Sequence, residues 1–211
     1  METNLLSKSD RTSLAILDSA YALISSQGYA ATSMRQIAEG AGLALGGIYN
    51  HFSSKEDIFQ AIVLERHPFY QMLPLLKETR GATVDEFIHN AARSLVDELG
   101  HHPEFLNLIL TELVEFKGRH APLVFEKILP LVLELGGNMT AFQDEMRPIP
   151  IPLLMRAFVG MFFSYFITDM LLNNLMAPEL QANAMDVFVD IFLNGIKQPL
   201  PDNVNNTEEI E

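Results

Sequence analysis

Residues Thr32–Phe52 read TSMRQIAEGAGLALGGIYNHF, and the parsing of this stretch decides the fold. Ser33 and Gln36 have the spacing of a capping box, in which each side chain satisfies a free backbone N–H at a helix start. The helix they open runs to about Ala41 and turns Met34, Ile37, Ala38 and Ala41 inward. Gly42 supplies the turn, and a second short helix follows from about Leu45 to His51, held by Leu43, Ile48 and Phe52. Ser53 and Glu56 then repeat the capping-box spacing and open a longer helix carrying Ile58, Phe59, Ile62 and Val63. Two short helices joined by a glycine turn form the helix-turn-helix pattern, whose second helix lies in the DNA major groove.

Working outward, the spacing of Leu14, Leu17, Ala20, Tyr21, Leu23 and Ile24 predicts a helix over 10–27, ended by Gly28. Pro68 breaks the long helix near 65–67, with a further segment through Leu76. Beyond it the pattern stays helical over 83–99 (stopped by Gly100), 103–117 (Pro103 in the first turn, Gly118 at the end), 121–146, 152–176 and 179–197. No stretch alternates like a strand and no repeat recurs at a fixed period. The expected fold class is all-α with about nine helices: a three-helix head over 1–54, a larger helical domain over 55–198, and a polar acidic tail at 199–211 expected to be disordered.

A chain of 211 residues, 48% apolar and 19% charged, can bury a sizeable core. The absence of cysteine excludes disulfides and thiolate metal sites and fits a reducing cytoplasm. The first residues, METNLLSKSDR, have no apolar core of signal-peptide length. The net charge of −13 is unevenly spread: Lys8, Arg11, Arg35 and Lys55 balance Glu2, Asp10, Asp18 and Glu39, so the deficit lies beyond residue 55. A neutral head on an acidic body can touch DNA while the body is repelled from it, with few cations to displace counterions. The most apolar stretch, 152–176, is interrupted by Arg156 and Asp169, leaving less than the roughly 20 apolar residues a membrane span needs. It is expected to be a buried helix, with no membrane partner.

Arg11, Ile16-Leu17, Ala20, Gly28-Tyr29, Thr32-Ser33, Ile37-Ala38, Ala41-Gly42, Gly46, Ile48-Tyr49, His51-Phe52 and Ser54-Lys55-Glu56 together resemble the N-terminal signature of the TetR/AcrR family of bacterial transcriptional repressors. The likeness spans about residues 8–60 without a gap. It implies a cytoplasmic regulator that binds a palindromic double-stranded DNA operator as a homodimer and is released by a small-molecule effector. It further implies that the larger domain serves ligand binding and dimerisation. No cofactor or metal is expected. The expected DNA-binding set is Thr32, Ser33, Arg35, Leu45, Gly47, Tyr49, Asn50, His51 and Lys55. Thr32 can offer a hydroxyl to a phosphate at a helix N-terminus, and Arg35 can reach a phosphate or a guanine edge. Tyr49 is similar to the family tyrosine that meets the DNA backbone, and His51 and Lys55 sit where the family contacts phosphates. Leu45 can only touch a thymine methyl. The sequence departs from the family where Ala44 replaces a capping serine and Gly47 follows Gly46, losses of about 1 kcal/mol each. The reading helix is therefore expected to be weak, with modest affinity and reliance on DNA shape.

By the same resemblance the helices over 152–176 and 179–197 form the dimer surface, with Phe158, Met161, Phe162, Tyr165, Asp169, Met185, Phe188, Val189 and Phe192 as candidates. The expected ligand site draws on Phe69, Met72, Phe87, Phe105, Phe116, Phe125, Met155, Phe158 and Phe162, with Glu112, Glu115, Arg156 and His89 as alternative polar anchors. Aromatic and methionine lining suits an apolar or aromatic ligand. An enzyme is not expected: no nucleophile elbow, phosphate loop, dinucleotide fingerprint or His-Glu-x-x-His occurs. The alternative from another class is a helical small-molecule-binding or interaction dimer that has lost specific DNA binding.

Overall fold

The computed structural model describes residues 7–102, 104–172 and 175–197. Pro103 and the expected tail at 199–211 lie outside the described residues. Within them the chain is all-α. The head comprises α1 (Lys8–Gln27), α2 (Met34–Gly40) and α3 (Leu45–Ile48), followed by α4 (Lys55–Arg66) and α5 (Phe69–Glu78). Then come α6 (Val84–His101), α7 (Glu104–Phe116), α8 (Ala121–Met139), a 3-10 turn at Thr140–Phe142, α9 (Ile151–Leu172), α10 (Pro178–Ala182) and α11 (Ala184–Ile196). The nearest approach to a strand among the described residues is one isolated antiparallel bridge, Met146 to Lys197.

Several boundaries correct the sequence expectation. α1 starts earlier, because Ser7 and Asp10 form a capping box of their own. α3 ends at Ile48 rather than His51; Ala44 gives it no side-chain cap and half of its four residues are glycine. The cap of α4 is Ser54, which accepts from the Asp57 N–H at 3.0 Å, and not Ser53 with Glu56. Ser53 instead donates to the Asp57 carboxylate. α6 passes through Gly100, since one glycine costs a helix only about 1 kcal/mol. The helix from 121 stops at Met139, and the last helical stretch is split at Asn183 into α10 and α11. The break before Pro68 is as expected: α4 ends at Arg66 and His67 is extended.

The described residues divide into two compact units: those up to Leu75 with those between Leu95 and Leu133, and Leu76–Ser94 with those from Glu134 onward. In the first, Ile16, Leu17, Ala20, Ile37, Ile48, Ile58, Phe59, Ile62 and Val63 are almost wholly buried and make the core of the head. α2 lies close on α1 at Gly40: a Cβ there would fall 2.2 Å from Ser19 Oγ, whose hydroxyl donates to the Ile37 carbonyl at 3.0 Å. In the second unit Val84, Phe87, Ile88 and Ala91 of α6 are buried, as are Leu154, Phe158 and Phe162 of α9 and Val189, Phe192, Leu193 and Ile196 of α11. The Val84 N–H donates to Glu145 at 3.1 Å, and Lys197 pairs with Asp85 at 3.1 Å. α9 is 22 residues long and apolar enough by length and composition to cross a membrane, but it carries Arg156 and Asp169.

Candidate nucleic-acid interface and ligand cavity

The predicted capping box at α2 is present: Ser33 Oγ accepts the Gln36 N–H at 3.3 Å, and Gln36 Oε1 accepts the Ser33 N–H at 2.9 Å. It fixes the start of α2, and Ile37, Ala38 and Ile48 bury the inner face of the helix pair. The outer face presents Ser33, Arg35, Ala44, Leu45, Gly46, Tyr49 and Asn50 to solvent. Leu45 is 37% and Tyr49 52% exposed, so the projecting part of α3 and its trailing turn is largely apolar. Gly47 is half-buried, with Leu43 Cβ 3.9 Å from where its own Cβ would lie.

Three of the expected DNA contacts are differently placed. Thr32 is 2% exposed; its hydroxyl donates to the Gly28 carbonyl at 2.9 Å and accepts from Gln27 at 3.3 Å. His51 is half-buried, with Nδ1 3.0 Å from Ser13 Oγ on α1. Lys55 turns inward: Nζ donates to the Tyr29 carbonyl at 2.6 Å and the Thr32 carbonyl at 2.7 Å, and lies 4.0 Å from the centroid of the Tyr29 ring. Burial lowers the Lys55 pKa below the ordinary lysine value. Each bond from a charged donor is worth about 1.5–3 kcal/mol, and the ring contact adds about 0.5–1 kcal/mol.

The Tyr29 ring belongs to a larger aromatic seat. Its edge meets Phe59 at 5.4 Å and Phe116 at 4.9 Å, Phe59 and Phe116 stack at 4.6 Å, and His120 lies 5.0 Å from Phe116. His120 is 3% exposed and Glu112 7%. The Glu112 carboxylate accepts the His120 backbone N–H at 2.7 Å and the ring Nδ1–H at 2.8 Å. Lys117, at φ 54, and Gly118, at φ 76, close α7 and turn His120 back over it. Arg119 pairs with Glu56 of α4, and Lys127 donates to the Leu64 carbonyl at 3.1 Å. Phe116 and Glu112 both take part in this seat.

The ligand residues that do come together lie in the second unit. A cavity there is lined by Leu76, Phe87, Ile88, Ala91, Leu135, Met139, Leu154, Met155, Phe158 and Phe192, every one apolar. Of the expected set it contains Phe87, Met155 and Phe158. The free space for a water-sized sphere is about 20 Å³, far below the roughly 300–1,000 Å³ of typical ligand pockets. Phe162 packs beside it on Phe158 at 4.8 Å. Phe69 faces His67 at 4.7 Å, Phe105 stacks on His102 at 4.8 Å, Met72 is half-buried, and Phe125 is 55% exposed; none of the four lines the cavity. The lining leucines and isoleucine escaped sequence reasoning because any core has the same pattern. Phe158, Phe162, Val189 and Phe192 are buried within one chain, whereas Val159 on α9 and Val187 and Ile191 on α11 are exposed, Ile191 to 69%. Met161, Tyr165, Asp169, Met185 and Phe188 are half-buried.

The family model of bacterial regulatory proteins of the tetR type matches residues 16–62. The HTH-type transcriptional regulator AcrR of Shigella flexneri is 49% identical over 47 residues, 22% of each chain. The uncharacterized HTH-type transcriptional regulator YvkB of Bacillus subtilis is 24% identical over 192 residues, 88% of this chain and 97% of its own. The crystal structure of a TetR-family transcriptional regulator from Mesorhizobium loti has the same fold, with a TM-score of 0.69 at 23% identity over 92% of this chain and all of that one. Members of this family generally bind DNA as homodimers, respond to small-molecule ligands and catalyse no reaction. With its capped α2, its short α3 and an all-helical body behind them, the chain carries the head that the tetR family model describes, on the fold of a solved TetR-family regulator.

Proposed function

We propose that this protein is a cytoplasmic transcriptional repressor that sits as a homodimer on a palindromic DNA operator and is released by an apolar or aromatic small molecule. The observation that carries this reading is the outer face of α2 and α3: Arg35, Leu45, Tyr49 and Asn50 point to solvent together while the opposite face is fully buried. Arg35 supplies a charge-assisted contact, Tyr49 a hydroxyl for the backbone, Asn50 an amide for a base edge, and Leu45 a surface for a thymine methyl. Ser33 and Gly47 border this patch. Two copies spaced by one turn of DNA would meet two half-sites. Exposed Val159, Val187 and Ile191 support pairing through α9 and α11.

The all-apolar cavity supports a ligand with little charge, since nothing lining it could neutralise an ion. A ligand must widen the cavity, and Met139 and Met155 are side chains that adapt readily. Occupation would favour a state in which the two heads no longer match their half-sites. A coupling of about 1–3 kcal/mol is enough for a usable response. Selection of bound duplexes from a randomised pool, repeated with added metabolites, tests the proposal. The expected result is a specific-over-random affinity ratio well above one, lowered by Arg35→Ala and Tyr49→Phe and by an apolar metabolite. A ratio of one at every salt concentration would favour a helical carrier without DNA specificity. Ile191→Glu is expected to give monomers in sedimentation.

A further inference from the structure

We infer that Leu45 makes the head a reader of pyrimidine C5 methyl groups. Each half-site carries a methylated pyrimidine where Leu45 meets it, and the methyl, not the rest of the base, is what this side chain recognises. Thymine and 5-methylcytosine both qualify. The inference rests on the DNA-reading role proposed above and deepens it. Among the described residues before Leu113, Leu45 and Tyr49 are the exposed large apolar side chains, at 37% and 52%. They stand an i, i+4 pair apart on one face, since Tyr49 keeps helical backbone angles (φ −70, ψ −10). The same head buries Ile37, Ile48, Phe59 and Val63 completely, so Leu45 is left out on the reading side alone.

Of the four residues of α3, two are glycine and Ile48 is wholly buried, so Leu45 is all the side chain this helix can send into a groove. Neither glycine has positive φ, and a Cβ at Gly46 would meet nothing within 4 Å. A Cβ at Gly47 would touch Leu43 only, at an ordinary 3.9 Å. The fold has room for side chains on both sides of Leu45 and carries none. No Asp, Glu, Lys or Arg lies between Glu39 and Lys55. In the major groove every base edge offers donors or acceptors, and thymine adds the one apolar group, its C5 methyl. A donor or acceptor pressed against an aliphatic chain loses water and gains no partner. A methyl buried there gains about fourfold in affinity, or about fifteenfold when both half-sites carry it. 5-Methylcytosine holds the same methyl on the same ring carbon, so it offers Leu45 the same surface. Leu45 is thus a specificity-determining residue.

The test uses the full chain and the duplex it selects from a randomised pool. Each thymine in turn is replaced by uracil in both half-sites; uracil keeps the pairing edge and the O4 acceptor and lacks only the methyl. The expected result is one thymine per half-site at which uracil weakens binding about fifteenfold. With Leu45→Ala the thymine and uracil duplexes bind equally. At that same position 5-methylcytosine binds about fifteenfold more tightly than cytosine, and Leu45→Ala removes this gain as well. Uracil without effect at every position overturns the inference, and so does 5-methylcytosine no better than cytosine at the sensitive one. A methyl effect that survives Leu45→Ala also overturns it, since the methyl then acts through Tyr49 or through duplex stiffness. Should Leu45→Ala not fold, the two methyl comparisons on the unsubstituted protein still decide, because the methyl must count at one position on either base. Should no duplex be selected, the DNA-reading proposal fails and this inference with it; a selected duplex indifferent to uracil sinks this inference alone.

Discussion

Around Phe59 the packing is stitched by directional bonds: Lys55 to two carbonyls, Glu112 to both nitrogen donors of His120, and Lys127 to the Leu64 carbonyl. Around Phe158 the cavity lining consists of aliphatic, aromatic and thioether side chains alone. The difference is one of tolerance. A hydrogen bond weakens steeply as its geometry departs from ideal, so the first region has one good arrangement. Apolar contact is non-directional, and a flexible thioether can refill a changed space. One region is built to hold an aim and the other to accept a shape.

The largest expected effect tests the first half of that contrast. Glu112→Ala strands the His120 donors in a buried site and is expected to cost roughly 3–5 kcal/mol, read as a fall in chemical-denaturation midpoint. A loss below about 1 kcal/mol would mean that the bonds around Phe59 are ornamental. Next comes pH. Burial lowers the His67 pKa from 6.5 to about 4. The native imidazole is therefore neutral between those values while the unfolded one is protonated. Stability contributed by keeping it neutral is complete above pH 6.5 and is lost as pH falls toward 4. The loss is about 3 kcal/mol by the usual conversion, and His67→Gln should remove that share of the slope in denaturation curves across the window. Smaller still, Met155→Leu in the cavity should cost under about 1.5 kcal/mol, because a volume-conserving apolar swap is readily repacked. A larger cost would show the second region to be as exacting as the first. The smallest effect is a gain: Ala44→Ser supplies the missing cap of α3 and should add about 1 kcal/mol to thermal stability.

The fold was legible where a pattern has one physical cause. Ser33 with Gln36 can hardly mean anything but a helix start, and Pro68 cannot continue the ladder of α4. Ser53 and Ser54 show the limit: either hydroxyl could cap α4, and only the backbone path decides for Ser54. Exposure on the head was legible for Arg35 and Tyr49 because the buried stripe of Ile37, Ala38 and Ile48 fixes which side is outside. Lys55 was not, because a long cationic side chain can reach inward or outward from one Cα, and its inward partners are carbonyls that carry no sequence signal. The pairing of Glu112 with His120 depends on the left-handed turn at Lys117-Gly118, and the position of Phe125 on the outer side of α8 depends on the rotation of that helix. The apolar stripe of α9 and α11 announced burial without saying whether the cover is the same chain or another.

The close approach of Gly40 to Ser19 has a consequence for how this head can change by mutation. Alanine at 40 forces the Ser19 hydroxyl to rotate and give up the Ile37 carbonyl, since the new methyl would lie 2.2 Å from Ser19 Oγ. Once Ser19 is alanine that bond is already gone, and the remaining neighbour, Ser19 Cβ at 3.2 Å, asks for a shift of only a few tenths of an ångström. The two substitutions are therefore non-additive, with the double variant less damaged than the sum of the singles. A side chain at position 40 therefore costs less once position 19 has changed, so the order in which changes arrive sets the cost of each step.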